Sequence, residues 1–228
     1  FFEVRVAGLK QQEALGLTEL SHDGLPPAEA LDEITSATHD FVEMQYTCLN
    51  ESVLPALEQA GIQMLDVDQQ GTAFKRWMGR YFLKDIQPVL TPVGLDPAHP
   101  FPRILNKSLN FILTLEGRDA FGRSSRFAVV QAPRALPRVI EVPPEVVDKP
   151  MRKNFVLLSS VIRANVGKIF PGMKVMSCSA FRVTRNSDLW VDVDEAEDLL
   201  RALAGELPAR NYGDAVRLEV SASSTDEV

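Results

Sequence analysis

The chain has 228 residues, of which 45% belong to the hydrophobic set and 24% are charged, and its formal net charge is −7. This length and composition suffice to bury a core in one large or two modest domains, and they exclude wholesale disorder. No stretch approaches the roughly 18–20 consecutive apolar residues of a membrane helix, and no signal-peptide pattern opens the chain. We therefore expect a soluble, cytoplasmic protein, with peripheral attachment to a membrane left open.

Helical periodicity begins at the first residues. Phe2, Val6 and Leu9 stand at spacings of four and three, with Arg5 and Lys10 off that stripe. Neither a capping Ser, Thr, Asp or Asn nor an initiator Met precedes this helix. We therefore expect the chain to be cut from something longer, at least in front.

A turn-rich break at residues 21–27 separates this helix from a longer one, which we expect to open at Pro26 or Pro27. Pro55 is predicted to kink or restart the long helix, and Gly61 to end it. Residues 1–61 are thus predicted to form an acidic, antiparallel helical hairpin. The long helix has an apolar side made of Leu31, Ile34, Phe41, Met44 and Cys48.

The clearest element is an amphipathic helix whose apolar residues occupy positions i, i+3, i+4, i+7 and i+8. These residues are Phe74, Trp77, Met78, Tyr81 and Phe82. Lys75, Arg76, Arg80 and Lys84 lie largely off that stripe. The prolines between Pro88 and Pro102 then favour an extended connection rather than a helix or a central strand.

The rest of the chain mixes strands and helices irregularly. Apolar runs predict strands near residues 109–115, 127–130, 139–142, 155–158, 173–184 and 216–220. Helices are predicted at 159–169, capped by Ser159 or Ser160, and at 192–207. Because strands and helices do not alternate steadily, we predict an α+β fold, with the helical hairpin followed by a mixed α+β domain over 62–228.

Charge is distributed unevenly along the chain. Residues 11–74 contain twelve acids and neither Lys nor Arg, whereas residues 149–187 contain eight Lys or Arg and no acid. Such asymmetry favours a front half that meets a basic surface and a back half that meets a polyanion. A simply solvated face remains the alternative for both segments.

Motifs for catalysis or for metal binding are not visible. There is no Gly-rich phosphate loop and no nucleophile elbow, and His22, His39 and His99 are far apart in sequence. His99 stands among prolines, where it either acts as a positioned acid, base or phosphate contact or anchors the link by hydrogen bonding. Cys48 and Cys178 form no metal-binding pattern, so we expect both to be small buried side chains.

The segment 181–188 is the best functional candidate that the residues offer. Arginine forks match phosphate oxygens in a bidentate geometry, so Arg182 and Arg185 are suited to a polyphosphate path. Lys107, with neighbouring polar residues Asn106, Ser108 and Asn110, supplies further donors near a strand start. The alternatives are an ion pair of the arginines with the acidic run at 192–198, and a merely polar strand entry at 106–110.

Several long stretches together resemble the bacterial polyphosphate kinase family, in its multidomain type that works through a phosphohistidine. The matching stretches are residues 1–10, 90–102, 106–111, 170–174, 181–189 and 212–220. The resemblance implies that residues 1–61 are the later part of a helical N-terminal domain and that 62–228 are most of a head domain. It also implies that the phosphorylated histidine, the magnesium-binding arginines and a nucleotide-contacting asparagine have no counterpart here.

The family reaction is the reversible transfer of the ATP terminal phosphate to polyphosphate, with Mg²⁺ offsetting charge. The resemblance therefore implies ATP and Mg²⁺ for the parent enzyme, with no cofactor, metal or catalytic residue on this chain, which we expect to be inactive alone. It also implies three kinds of partner: the remaining catalytic domains of the same protein, polyphosphate, and a second copy of the protein. We expect dimerisation and shaping of the active-site tunnel, with Arg182, Arg185 and Lys107 facing polyphosphate.

Two other hypotheses belong to different functional classes. A stand-alone module that binds nucleic acid or another polyanion is disfavoured by the acidic front half and by the lack of an aromatic-rich strand signature. An independent small enzyme is disfavoured because no constellation of nucleophile, base and metal ligands is visible.

Overall fold

A computed structural model describes residues 1–20, 24–95, 101–118, 126–187, 213–222 and 224. The chain folds into two compact units, each assembled from separated stretches. Unit 1 comprises Phe1–Gln45, Arg103–Lys107 and Arg182–Glu219, and unit 2 comprises Tyr46–Pro102, Ser108–Phe181 and Val220–Val228. The helix predicted at 192–207, together with His22 and His99, lies outside the described residues. A domain boundary at residue 61 stays a prediction.

The front of the chain is helical, as predicted. A wide π turn, Phe2–Val6, continues as α1 (Ala7–Ala14), and α2 (Pro27–Cys48) runs through a second π turn into α3 (Leu54–Gln59). The second π turn directly precedes the turn that contains Pro55, whose missing N–H cannot donate to residue 51. Gly61 follows α3 with a φ of +79°, a conformation that suits glycine after a helix.

Only part of the predicted apolar side of α2 is buried. In unit 1, Leu31 and Ile34 pack against a small cluster that contains Val6 and Val216. Phe41 and Met44, in contrast, are 55% and 63% exposed, and Cys48 is exposed as well. The expectation that Cys48 is buried is therefore wrong, because the described residues of its own unit supply nothing to cover it.

Eight strands form two sheets in the described part of the chain. The three-stranded sheet has the order β1-β6-β5, and the five-stranded sheet has the order β2-β4-β3-β7-β8. β1 pairs with β6 in parallel, whereas the pairs β5–β6, β2–β4, β4–β3 and β3–β7 are antiparallel. The strands are β1 (Ile62–Met64), β2 (Thr91–Leu95), β3 (Leu109–Gly117), β4 (Phe127–Ala132), β5 (Val139–Glu141), β6 (Lys153–Leu157), β7 (Met173–Arg185) and β8 (Ala215–Val220).

The proline-rich connection contains a strand that the sequence did not predict. Pro92 lies within β2, which in the described part of the chain pairs only with β4 and is thus an edge strand of the five-stranded sheet. An edge strand tolerates proline because the side without a partner needs no N–H donor. The predicted extended backbone is confirmed over β2, whereas Pro88 lies in the 3₁₀ turn Gln87–Val89 and residues 96–100 lie outside the described residues.

The core of unit 2 lies under α4 (Thr72–Tyr81), which continues through a π turn to Ile86. Phe74 and Phe82 are fully buried from solvent, in one cluster with Phe111 of β3. This arrangement confirms the amphipathic helix that the apolar spacing predicts. Cys178 of β7 packs against the same cluster, and burial raises the pKa of its thiol to about 11.

The last described helix begins earlier than its predicted cap. α5 (Leu158–Asn165) starts directly after β6 and continues as a 3₁₀ turn, Val166–Ile169. Its first N–H donates to the carbonyl of Arg138 at 3.0 Å, so a backbone acceptor serves in place of a side-chain cap. Ser159 and Ser160 are therefore not capping residues. The α+β class itself is confirmed, and no helix in the described ranges is long and apolar enough to cross a membrane.

Candidate functional site

The three predicted cations, Lys107, Arg182 and Arg185, all lie in unit 1. Arg182 and Arg185 belong to the C-terminal end of β7, and Lys107 ends the short segment Arg103–Lys107. The backbone N–H of Lys107 donates to the carbonyl oxygen of Val183 at 2.8 Å. The fold thus places these cations on two adjacent backbone segments, although they are far apart in sequence.

Lys107 is held at both its backbone and its side chain. Its φ of +57° lies in the left-handed region, which is uncommon for a residue other than glycine. Its Nζ lies 2.6 Å from Oε2 of Glu3, while Asn106 Nδ2 donates to Oε1 of the same carboxylate at 2.5 Å. The Lys107 side chain is nevertheless 51% exposed, so about half of it faces solvent while its ammonium is paired with Glu3.

Arg185 is a structural anchor in this arrangement. Its Nε donates to the carbonyl of Ile104 and its Nη1 to the carbonyl of Gly213, both at 2.8 Å. Its backbone N–H donates to Oδ1 of Asn106 at 2.9 Å. Arg185 therefore ties three chain segments together, and it is only partly exposed, whereas Lys107 is exposed.

Arg182 makes a bidentate ion pair with Glu219 of β8. Nε and Nη2 of Arg182 each lie 2.7 Å from a carboxylate oxygen of Glu219. Arg217 Nη2 is 3.5 Å from the same carboxylate, and its guanidinium lies 4.7 Å from the centre of the Phe2 ring. The Arg182 side chain is 51% exposed. The alternative partner at 192–198 lies outside the described residues, whereas Glu219 is a partner that the sequence did not indicate.

Two carboxylates balance the cations of this site. The pKa of Glu3 is lowered, chiefly by the hydrogen bond from Lys107, and that of Glu219 is lowered, chiefly by the hydrogen bonds from Arg182. Partial burial opposes both shifts but is the smaller effect. Neither residue stands out in the sequence, because an isolated glutamate in a helix or a strand carries no local signal of its partner.

Acid is expected to destabilise the chain through Glu3. A carboxyl whose pKa is lowered on folding contributes stability above its unfolded pKa, and this contribution is lost as the pH falls through the folded value. The ordinary pKa of a glutamate side chain is 4.5. We therefore expect the urea concentration at the unfolding midpoint to decrease as the pH is lowered below 4.5. Glu3→Gln should reduce this acid dependence. Glu13→Gln, which removes an exposed carboxyl of α1, is the control, and equal acid slopes in the two variants would contradict the prediction.

Other candidates from the sequence do not join this site. His39 is exposed on α2. Across the described part of the chain, no group of three His, Cys, Asp or Glu side chains could hold a metal ion.

Comparisons with known proteins agree with this fold. Residues 1–65 match the model of the polyphosphate kinase N-terminal domain, and residues 73–228 match that of the polyphosphate kinase middle domain. The crystal structure of polyphosphate kinase from Porphyromonas gingivalis matches 92% of this chain and 32% of its own, with a TM-score of 0.67 and 22% sequence identity. That likeness shows a shared fold.

Closer sequence relatives bear the same name. A polyphosphate kinase of Burkholderia multivorans is 52% identical over 228 residues, which are 100% of this chain and 33% of the relative. One of Pseudomonas syringae pv. tomato is 52% identical over 221 residues, 97% of this chain and 30% of the relative. The chain thus spans about a third of the length of these curated relatives. Because the middle-domain model alone covers more than half of it, the chain belongs to the polyphosphate kinase family.

Proposed function

We propose that this chain is the assembly and tunnel-shaping part of a polyphosphate kinase. The parent enzyme would reversibly transfer the ATP terminal phosphate to polyphosphate in the cytoplasm, with Mg²⁺ offsetting charge. The catalytic groups would belong to the remaining domains of the same protein. Support comes from the two family models, which together account for nearly the whole chain.

The observation that carries a polyphosphate-facing role is the exposure of two firmly held cations. Lys107 and Arg182 each keep 51% of the side chain open to solvent, while hydrogen bonds hold the backbone segments that bear them. An arginine fork accepts two phosphate oxygens as readily as two carboxylate oxygens. A polyphosphate chain would therefore displace Glu219 from Arg182 and Glu3 from Lys107. Arg185 would contribute its charge while keeping the segments in place.

A role in homo-oligomer assembly rests on α2. Phe41 and Met44 are exposed on this helix, next to the exposed acids Asp40 and Glu43. Exposed apolar side chains within a charged surface are typical of protein contact sites. The proposal is that this face packs against another copy of the chain. Sedimentation of the wild type and of a Phe41→Ser/Met44→Ser variant tests it, and an unchanged oligomeric state would contradict it.

Substitutions at Arg182 and Glu219 are expected to move polyphosphate affinity in opposite directions. Arg182→Gln removes a phosphate contact and should weaken binding, with a salt slope smaller by about 0.7, the contribution of one contact on a single-stranded polyanion. Glu219→Gln removes the competing carboxylate and should strengthen binding. Fluorescence anisotropy with labelled polyphosphate across a salt series measures both.

The control for Arg182→Gln is Arg5→Gln, which removes the same charge from an exposed residue near the front of the chain. Arg5→Gln should change the salt slope little. Equal affinities of the wild type and both site variants would remove Arg182 from the polyphosphate path. Weaker binding by Glu219→Gln would show that the ion pair itself, rather than a freed guanidinium, supports binding.

The chain alone is expected to perform no phosphoryl transfer. Incubation with terminal-phosphate-labelled ATP and Mg²⁺ should yield neither labelled protein nor labelled polyphosphate, because the proposal assigns the reacting groups to other domains. A full-length relative provides the positive control. Label on this chain would mean that His22, His39, His99 or another group reacts, and the assignment of catalysis to other domains would be wrong.

A further inference from the structure

The solvent-facing side of α4 carries a dense group of positive side chains. Four exposed cations lie on or just after this helix, opposite its buried apolar residues. Among the described residues, none of the four makes an ion pair with a carboxylate. They are Lys75, Arg76, Arg80 and Lys84.

Lys168 adds a fifth charge to this group. Its Nζ donates to Oδ1 of Asn165 at 2.7 Å, and buried Asn165 is itself held by a bond from Nδ2 to the carbonyl of Val161. A Cβ added to Gly79 would stand 2.9 Å from Lys168 Nζ, so the ammonium lies directly over α4 at that glycine. Gly79 follows Lys75 by four residues and Arg76 by three, which makes all three neighbours on the helix surface.

We call this surface the α4 cationic face and define it by Lys75, Arg76, Arg80, Lys84 and Lys168. Like charges at i and i+4 repel, so the pairs of Arg76 with Arg80 and of Arg80 with Lys84 destabilise the free helix. The nearest acid on this turn is Asp85, whose charge, after burial, raises the pKa of Tyr81. Asp85 stands four residues after Tyr81 and directly after Lys84, and it makes no ion pair with the four cations in the described part of the chain.

We propose that the α4 cationic face binds inorganic polyphosphate. Arg76 and Arg80 stand four residues apart on α4, about 6 Å along the helix axis, and Lys84 follows four residues later in the π turn. A row of this kind fits a linear, flexible chain of phosphates better than a single phosphate group. The face lies on unit 2, whereas Lys107, Arg182 and Arg185 lie on unit 1, so the two proposals concern different residues, although this one rests on the proposed function for its ligand.

Single-stranded nucleic acid is the less suitable polyanion for this surface. Its binding sites combine cations with exposed aromatic rings on which bases stack. Trp77 and Tyr81, the aromatic residues nearest to the row, stack on each other with ring centres 5.6 Å apart and are only partly exposed. The outward residue between the cations is Leu83, which offers no ring for stacking.

The test measures binding of long-chain inorganic polyphosphate to the 228-residue chain over a salt series. The variant Arg76→Gln/Arg80→Gln should bind several-fold more weakly at low salt, with a salt slope smaller by about 1.4 for two lost contacts. The control Arg5→Gln/Arg118→Gln removes two exposed arginines from other elements and should keep the wild-type slope. Circular dichroism confirms that both variants are folded.

The binding experiment has three outcomes that would contradict the proposal. If the α4 variant and the control bind alike, or if the wild type does not bind polyphosphate, the proposal is overturned. If an RNA oligomer of equal charge competes as well as polyphosphate, the face is a general polyanion surface and polyphosphate is not its specific ligand. If Arg76→Gln/Arg80→Gln weakens polyphosphate binding and Arg182→Gln does not, only the unit 1 site is rejected. If Arg182→Gln weakens binding and Arg76→Gln/Arg80→Gln does not, only the α4 cationic face is rejected.

Discussion

Replacing Phe82 with alanine is expected to lower the free energy of unfolding by about 3–5 kcal/mol. The Phe82 side chain has no exposed surface and belongs to the cluster that joins α4 to Phe111 and the other buried residues of β3 and β4. Truncation to alanine removes most of the ring's buried apolar area and leaves a cavity that rigid neighbours fill only in part. Urea unfolding followed by circular dichroism measures the loss.

The neighbouring residue supplies a matched control. Leu83 follows Phe82 in the same turn but is 50% exposed, so Leu83→Ala should change the free energy of unfolding by about 0.5 kcal/mol or less. Similar losses in the two variants would mean that α4 does not bury the face that the structure assigns to it. A loss confined to Phe82→Ala confirms the orientation of α4, on which the α4 cationic face also depends.

Replacing Gly213 with alanine is expected to destabilise the chain by about 1–3 kcal/mol through overpacking. A Cβ at this position would stand 2.2 Å from the carbonyl oxygen of Asn186, which is a backbone atom and cannot rotate away. Relief requires a backbone shift at Asn186 or Gly213. That shift would strain the bond from Asn186 N–H to the carbonyl of Asp214 and the bond from Arg185 to the carbonyl of Gly213.

Gly8→Ala is the control for this prediction. Gly8 lies in α1 with nothing within 4 Å of an added Cβ, so alanine should stabilise the helix by about 1 kcal/mol. Thermal unfolding of both variants should therefore shift the midpoint in opposite directions. A shift in the same direction would show that the close approach of Gly213 to Asn186 is relieved without cost. In that case Arg185 would not depend on Gly213 for its position.

Local periodicity predicted most of the secondary structure. The spacing of Phe74, Met78 and Phe82 matches one side of a helix, and that side is buried in unit 2. The strands β3, β4 and β7 also follow from short apolar runs. These elements could be predicted because each buries a pattern that is complete within a few consecutive residues.

Errors arose where burial depended on a distant neighbour. The apolar side of α2 continues through Phe41 and Met44, yet these residues are exposed. Periodicity shows which side of a helix is apolar, but not whether another segment covers that side. The strand β2 was missed because Pro92 is acceptable only at a sheet edge, and strand order is set by long-range pairing. The start of α5 was misplaced because its first N–H finds a backbone acceptor at Arg138, far away in sequence.

In the candidate site, too, local features could be predicted and long-range contacts could not. Arginine and lysine side chains suited to phosphate were visible as Arg182, Arg185 and Lys107, because their chemistry belongs to the residue type. Their partners were not visible, since Lys107 and Glu3 are 104 positions apart and Arg182 and Glu219 are 37 apart. The sequence therefore named the cations but could not distinguish the anchoring role of Arg185 from the exposed positions of the other two.

By itself, the sequence determined the α+β class, the course of α4, the main strands and the uneven distribution of charge, because each depends on residues close together in the chain. Only the tertiary structure decided which apolar sides are buried, which carboxylate meets which cation, and why Gly213 must lack a side chain. Those features depend on close approach between distant segments. Such approaches are set by the packing of the whole unit, where a few ångströms separate a hydrogen bond from a clash.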